Sequence, residues 1–219
     1  MKTIDFNLYR EKYLEKIPMK RRIRVLLIAE SPPTQDEDIP AFFYYDEDDL
    51  RRVDRGSLFG EVMAGLYPVE WKRYQWTGNS VGNNKRIMLT RFSNDGLYLI
   101  DATDEPLQGL GSAWKMEKLE AVKRARTLTK RIISLAEGRH LWPNTRIYIT
   151  SCLVYDKLYE SLKNESFSVG GVTFNLKDML SDKRIPMPFG TNDNAQRFRS
   201  FMGCLREIIA ILNTQRQHP

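Results

Sequence analysis

The fold is decided by the stretch Arg24-Val25-Leu26-Leu27-Ile28-Ala29-Glu30-Ser31-Pro32-Pro33. Five apolar residues follow one another without polar alternation, which is typical of a strand buried on both faces. The prolines exclude a helix or a continued central strand, so the strand ends at Glu30. Because an α/β sheet binds ligands beyond the carboxyl ends of its strands, Glu30 is a candidate site residue. The alternative is a solvated glutamate at an ordinary strand end.

A second buried strand, Gly96-Leu97-Tyr98-Leu99-Ile100-Asp101, also ends in a carboxylate. Further strands are predicted at 146–150 and 183–187, and 167–176 is predicted to form a small hairpin. Two strands that end in acids indicate two carboxylates, Glu30 and Asp101, at one edge of one sheet. That convergence is more specific than either residue alone.

Helices are predicted between these strands from the spacing of apolar residues, at 5–17, 50–66, 85–92, 112–137, 153–162 and 195–212. Strands that alternate with helices predict a single α/β domain with a mainly parallel four-stranded sheet. The domain is expected to span 1–219, with its core at about 23–212 and the helix 5–17 before it.

Composition bounds the classes of function. The 219 residues are 42% hydrophobic and carry a formal net charge of +6, which predicts a globular protein and is compatible with a polyanionic partner. Neither a signal peptide nor an apolar stretch of membrane-spanning length is present, so a cytoplasmic location is expected. Two cysteines and two histidines have no ligand spacing, so no metal or cofactor is predicted.

Two further segments leave alternatives open. Four aromatic residues at 42–45 form either a platform that stacks on a flat ring or core packing beneath a long loop. The acidic clusters 36–38 and 46–49 either bind a divalent cation or, as the pattern favours, form solvated loops. An aromatic-basic patch at 71–76 favours nucleic acid, and the Gly/Asn-rich loop 77–84 either contacts phosphates or is a connector.

Taken together, these features resemble the uracil-DNA glycosylase superfamily over roughly residues 23 to 212. The sequence 29–33 resembles the family's water-activating loop, and an aromatic from 43–45 follows it. The sequence 98–101 resembles the strand whose last residue reads the base edge. Pro186-Met187-Pro188-Phe189-Gly190-Thr191 resembles the loop that wedges into the minor groove. The resemblance implies a three-layer α/β/α domain, a DNA partner, no cofactor, no membrane and a monomer.

Two positions depart from the family pattern. Most relatives carry Asn where this chain has Asp101, and many carry a His in the fourth motif, whereas no histidine lies near 186–194 here. The nearest histidines are His140 and His218. The departures bear on the identity of the base and on the stabilisation of the leaving group.

The implied function is that of a monofunctional DNA glycosylase, which hydrolyses the N-glycosidic bond of a flipped pyrimidine and leaves an abasic site. Glu30 would stabilise the sugar cation and position water. An ionised Asp101 offers only acceptors, which favours the amine of a cytosine derivative, such as a hypermodified base of phage DNA, and a role in defence or repair. Uracil is the alternative if Asp101 is protonated or turned aside.

The resemblance also implies contacts with the base and with the DNA. The base-binding candidates are Phe43, Tyr44, Tyr45 and Asn192. The DNA-binding candidates are Ser31, Pro32, Pro33, Pro188, Phe189, Gly190, Thr191 and Arg197. Two other classes of function remain: a non-catalytic base-binding module of the same fold, and a nucleotide hydrolase.

Overall fold

In the computed structural model, the apolar run before Glu30 forms the central strand of a three-stranded parallel sheet. This strand, β1 (Val25–Ala29), pairs with β2 (Leu97–Asp101) on one side and β3 (Arg146–Ile149) on the other. All five residues of β1 are buried, because each edge has a neighbouring strand and each face is covered. The predictions of these three strands and of their parallel arrangement are confirmed.

The chain divides into two compact units. The sheet unit lies within Ile17–Thr34 and Gly96–Ile185, and the helical unit lies within Met1–Lys16, Gln35–Asp95 and Pro186–Pro219. The structure describes residues 5–18, 22–30, 42–54, 57–103, 118–183 and 194–214, with the backbone alone at 118–120, 153 and 194–200.

The sheet unit continues beyond the three parallel strands. Its further elements are α5 (Lys118–Glu137), α6 (Cys152–Leu162), β4 (Ser166–Val169), β5 (Val172–Asn175) and α7 (Leu176–Met179). The hairpin of β4 and β5 confirms the prediction, and its turn residues Gly170 and Gly171 have φ values of 57° and 80°. Glycine adopts this left-handed conformation without the steric penalty of a side chain.

The helical unit contains the other helices. These are α1 (Phe6–Leu14), α2 (Leu58–Leu66), α3 (Pro68–Arg73), α4 (Val81–Asn94) and α8 (Asn194–Thr214). The predicted helix at 50–66 begins later than expected, because the Ser57 hydroxyl caps α2 by accepting from the Gly60 amide at 3.0 Å. Before this cap, Val53 bonds through its amide to the Trp76 carbonyl and Arg52 forms a bridge to Thr77. The loop expected at 77–84 is likewise shortened, because α4 begins at Val81.

The expected fourth parallel strand is not part of the described sheet. The chain touches β3 at an isolated parallel bridge between Ile147 and Leu180, where the Ser181 amide donates to the Ile147 carbonyl at 2.8 Å. Lys183 is not in a strand, and 184–187 lie outside the described residues. The sheet that the structure describes is therefore a three-stranded parallel one, with a separate antiparallel hairpin.

Candidate active site

The carboxyl edge of the parallel sheet brings together polar residues from three chain segments. Glu30 follows β1, Asp101 ends β2, and Thr150 and Ser151 follow β3. The register pairs Ala29 with Asp101. Glu30 therefore lies on the adjacent strand, one residue beyond the partner of Asp101. Parallel pairing therefore collects at one edge residues that are far apart in sequence.

Ser151 holds the carboxylate of Glu30. Its hydroxyl Oγ donates to Glu30 Oε2 at 3.1 Å and also accepts from the Val154 amide at 3.5 Å, so Ser151 is the N-cap of α6. Ser151 is buried and Glu30 is half-buried. The amino end of a helix carries partial positive charge, which favours a nearby carboxylate. Glu30 is therefore oriented by a fixed hydroxyl at a helix start.

Asp101 occupies a more enclosed position than a solvated strand end. It is 4% exposed, and its backbone carbonyl accepts a hydrogen bond from the Arg131 guanidinium of α5. The next amide, that of Ala102, donates to the Ala29 carbonyl at 2.9 Å and extends the β1–β2 ladder by one bond. The backbone of Asp101 is thus fixed from both sides.

Two residues of this edge were not among the sequence candidates. Thr150 is 3% exposed and donates through Oγ1 to the Ile28 carbonyl at 3.0 Å, which fixes the exit of β3 against β1. Ser151 orients Glu30. The sequence signal that identifies Ser151 is a buried strand followed by a serine and then a helical pattern, which is typical of an N-cap.

The aromatic residues predicted as a stacking platform lie in the core of the helical unit. Phe43, Tyr44 and Tyr45 are 4%, 0% and 2% exposed. Tyr44 stacks on Tyr13 with ring centroids 5.5 Å apart, and Phe43 contacts Phe59 at 5.6 Å. These rings pack against other aromatic rings of the same unit, so the arrangement matches the alternative of core packing and not the stacking platform.

The first residue of the acidic cluster 46–49, Asp46, is neither solvated nor part of a cation site. The side chain of Asp46 is completely buried and accepts from Lys12 Nζ at 2.8 Å, Tyr13 Oη at 2.5 Å and Arg86 Nε at 3.2 Å. Burial alone would raise the pKa of the Asp46 carboxyl, but the hydrogen bonds from Lys12 and Tyr13 and the charge of Arg86 lower it overall. Asp46 therefore serves as an ionised hub that joins α1 to α4.

The aromatic-basic patch at 71–76 is partly exposed. Trp71 and Trp76 stack with ring centroids 4.2 Å apart, and Trp76 Nε1 donates to the Trp71 carbonyl at 2.9 Å. Lys72 and Arg73 beside them are exposed. The patch combines flat apolar rings with cations on one stretch of chain, a combination that suits nucleic acid.

Nine predicted contact residues lie outside the side chains that the structure describes. Eight of them lie outside the described residues: Ser31, Pro32, Pro33, Pro188, Phe189, Gly190, Thr191 and Asn192. Arg197 lies in α8, of which this part is described by its backbone alone.

No group of three or more His, Cys, Asp or Glu side chains within the described residues is arranged to hold a metal ion. None of the helices in that part of the chain has both the length and the apolar character needed to cross a membrane.

Comparison of the chain with protein-family models, with curated proteins and with solved structures finds no match.

Proposed function

We propose that the protein is a monofunctional DNA glycosylase, which hydrolyses the N-glycosidic bond of a flipped pyrimidine and leaves an abasic site. The observation that carries the proposal is the position of Glu30. It follows the central strand of a parallel sheet, and Ser151 holds one of its carboxylate oxygens at 3.1 Å. This is the place where open α/β sheets bind their ligands.

The chemistry needs a fixed carboxylate at this place. As the glycosidic bond breaks, positive charge develops on the sugar and negative charge on the leaving base. The Glu30 carboxylate stabilises the sugar cation and accepts a proton from the attacking water, whose oxygen forms the new bond to the sugar carbon. Ser151 acts as a positioning residue, since its hydroxyl keeps Glu30 in one orientation without touching the substrate.

The base specificity follows from Asp101 at the neighbouring strand end. An ionised carboxylate accepts hydrogen bonds and cannot donate them, so it pairs with the exocyclic amine of cytosine and is repelled by the O4 oxygen of uracil. A modified cytosine is therefore the favoured substrate, and uracil is the alternative if Asp101 is protonated. Removal of a hypermodified phage base would serve antiviral defence, and removal of a damaged base would serve repair.

The finer architecture belongs to the same proposal. It includes a fourth parallel strand next to β3, on the side where Leu180 forms a parallel bridge to Ile147. Helices on both faces then complete a three-layer α/β/α domain. The loop 186–191 fills the gap in the duplex with Pro188 and Phe189, as apolar wedges do. The protein acts as a cytoplasmic monomer on DNA.

An abasic-site assay tests the proposal. Duplexes that carry uracil, cytosine, hydroxymethylcytosine or glucosylated hydroxymethylcytosine are incubated with the protein and then treated with hot alkali, which cleaves abasic sites. Glu30→Gln is expected to reduce cleavage by about 10²-fold to 10⁴-fold. Glu160→Gln is the matched control, because Glu160 is an exposed glutamate of α6 in the same unit. It should keep wild-type activity.

Two further variants test the residues around Glu30. Ser151→Ala should lower the turnover rate more than it weakens DNA binding, while Ser151→Thr restores part of the rate because threonine retains the hydroxyl. Asp101→Asn should shift the preference from the cytosine derivatives towards uracil, since the amide supplies a donor as well as an acceptor.

One observation favours a second candidate function. The chain has no histidine near 186–194, where many glycosylases stabilise the leaving base, so a module that binds a base without turnover is the alternative. Cleavage that is lost in Glu30→Gln supports the glycosylase. Salt-dependent DNA binding without cleavage of any duplex, unchanged in Glu30→Gln, would support the binding module instead.

A further inference from the structure

A cavity of about 450 Å³ lies at the amino end of the sheet, within the sheet unit. Its wall includes Arg22, which precedes β1, and the segment that follows α5 with Arg139 and Trp142. Val172 of the hairpin completes an apolar side. The cavity and Glu30 lie at opposite ends of β1, a strand of five residues that spans about 16 Å. The cavity is therefore separate from the candidate active site.

Both non-glycine residues with positive φ among the described residues line this cavity. They are Arg22, with φ of 46°, and Arg139, with φ of 58°. The left-handed region is unfavourable for a residue with a Cβ, and residues held there cluster at functional sites.

Arg139 occupies the left-handed position after the last turn of α5, where glycine is the usual residue. The Arg139 amide donates to the Ala136 carbonyl at 2.9 Å and the His140 amide donates to the Leu135 carbonyl at 2.8 Å, which is the Schellman pattern that closes α5. Glycine is the residue that best suits this left-handed position, yet in this chain the neighbouring Gly138 lies one position too early. The chain thus keeps a cationic side chain here at a cost in backbone conformation.

Trp142 offers an exposed, fixed ring beside the two arginines. It is 45% exposed, and the Arg22 guanidinium lies 4.0 Å from its ring centroid. Buried Thr145 holds the loop, because its Oγ1 accepts from the Trp142 amide at 3.1 Å and donates to the Ile23 carbonyl at 2.7 Å. The backbone of Trp142 is therefore held in place before any ligand binds, which reduces the entropy lost on binding.

Two arginines and one glutamate line the cavity, and their net positive charge exceeds the partial negative charge at the carboxyl end of α5. None of the ion pairs among the described residues involves Arg22 or Arg139, and the Arg22 guanidinium contacts the Trp142 ring. One acid, Glu137, shares the wall. A guanidinium binds a phosphate through two parallel hydrogen bonds, and an indole stacks on a flat heterocycle.

We propose that this cavity binds a nucleotide. Arg22 and Arg139 hold the phosphate, Trp142 and Val172 contact the base, and the Glu137 carboxylate accepts from an exocyclic amine of adenine or cytosine. The volume lies within the range of small-molecule sites. The site is independent of Glu30, so the proposal does not rest on glycosylase activity.

Isothermal titration with dAMP as the probe tests the proposal on the full chain. Deoxyadenosine, which lacks the phosphate, should bind at least about tenfold more weakly than dAMP, and dTMP, which lacks an exocyclic amine, should also bind more weakly. Glu30→Gln should bind dAMP as the wild type does. Absence of dAMP binding at concentrations up to about 5 mM would overturn the proposal.

The variant Arg139→Gly separates a binding role from a structural one. Glycine suits the left-handed backbone, so Tm should rise by about 3 °C while dAMP binding weakens at least about tenfold. Arg139→Lys keeps the charge and the strained backbone, so it should leave Tm unchanged and retain part of the binding. Arg52→Gln, at an exposed arginine of the helical unit, is the control and should change neither quantity. Unaltered dAMP binding in Arg139→Gly would refute the assignment.

A free nucleotide and a terminal nucleotide of a DNA strand present the same chemistry to the cavity. A short single strand with a 5′-phosphate distinguishes them. Binding at least about tenfold tighter than that of dAMP, and weakened by Arg139→Gly, would assign the cavity to a strand end. Equal affinities would assign it to the free nucleotide.

Discussion

Lys85 makes the stability of the helical unit depend on pH in an alkaline window. Its side chain is 3% exposed on α4, and Nζ donates to the Phe42 carbonyl at 2.8 Å. Burial lowers the pKa of the Lys85 amine from 10.5 to about 7, and the charge of Asp46 opposes this only in part. A change of this size corresponds to at most about 5 kcal/mol between the charged and neutral forms.

The direction of the effect follows from proton binding. Below pH 7 both the folded and the unfolded chain hold the proton on Lys85, whereas between about pH 7 and 10.5 only the unfolded chain does. The free energy of unfolding therefore rises with pH in this window, by up to about 1.4 kcal/mol per pH unit and about 3 kcal/mol from pH 7 to 9.5. Above about pH 10 the effect reverses, because burial raises the pKa of Tyr9, Tyr13 and Tyr45.

The variant Lys85→Met tests this directly, because methionine fills a similar volume without a titrating group. The Phe42 carbonyl keeps a partner in the Tyr45 amide at 3.2 Å, so the substitution leaves no orphaned acceptor. Urea unfolding followed by circular dichroism, from about pH 7 to 9.5, should show a slope in the wild type that is much smaller in Lys85→Met. The slope that remains comes from Lys16, whose pKa burial also lowers.

Lys72→Met is the control for this series, since Lys72 is an exposed lysine of α3 in the same unit. It should retain the wild-type slope. Equal slopes in Lys85→Met and the wild type would refute the reasoning, since they would mean that the folded protein keeps the amine protonated despite its burial.

Three other substitutions probe the packing of the helical unit by urea unfolding at neutral pH. Asp46→Asn should destabilise the protein by about 3 kcal/mol, because it leaves Lys12 and Arg86 without their buried counter-charge. An unchanged free energy of unfolding would show that these ion pairs contribute no net stability. Gly82→Ala should cost at least about 2 kcal/mol, since its Cβ would lie 2.2 Å from the Glu47 carbonyl oxygen. Gly203→Ala in α8 meets no atom within 4 Å and should stabilise by up to about 1 kcal/mol, so equal effects of the two glycine variants would contradict the clash.

Local patterns predicted the elements whose signal lies within a few residues. The uninterrupted apolar run 25–29 requires a strand with neighbours on both edges, and the structure provides β2 and β3. The two glycines of the hairpin adopt positive φ, and their presence in the sequence also predicted the turn. The predicted start of the helix 50–66 was wrong, because its true start depends on one side-chain hydrogen bond of Ser57 within a longer apolar pattern.

The roles of several residues depend on partners distant in sequence. The sequence determined that Glu30 and Asp101 end strands, but the pairing of β1 with β3 decided that Ser151 would orient Glu30. The run 42–45 is apolar enough for either a surface platform or a core, and the rings of α1, α2 and α4 decided for the core. The sequence favoured a solvated loop at Asp46, whereas in the fold Asp46 forms ion pairs with Lys12 and Arg86. Periodicity and turn chemistry act over neighbouring residues, whereas burial and charge compensation act between elements that only the folded chain brings together.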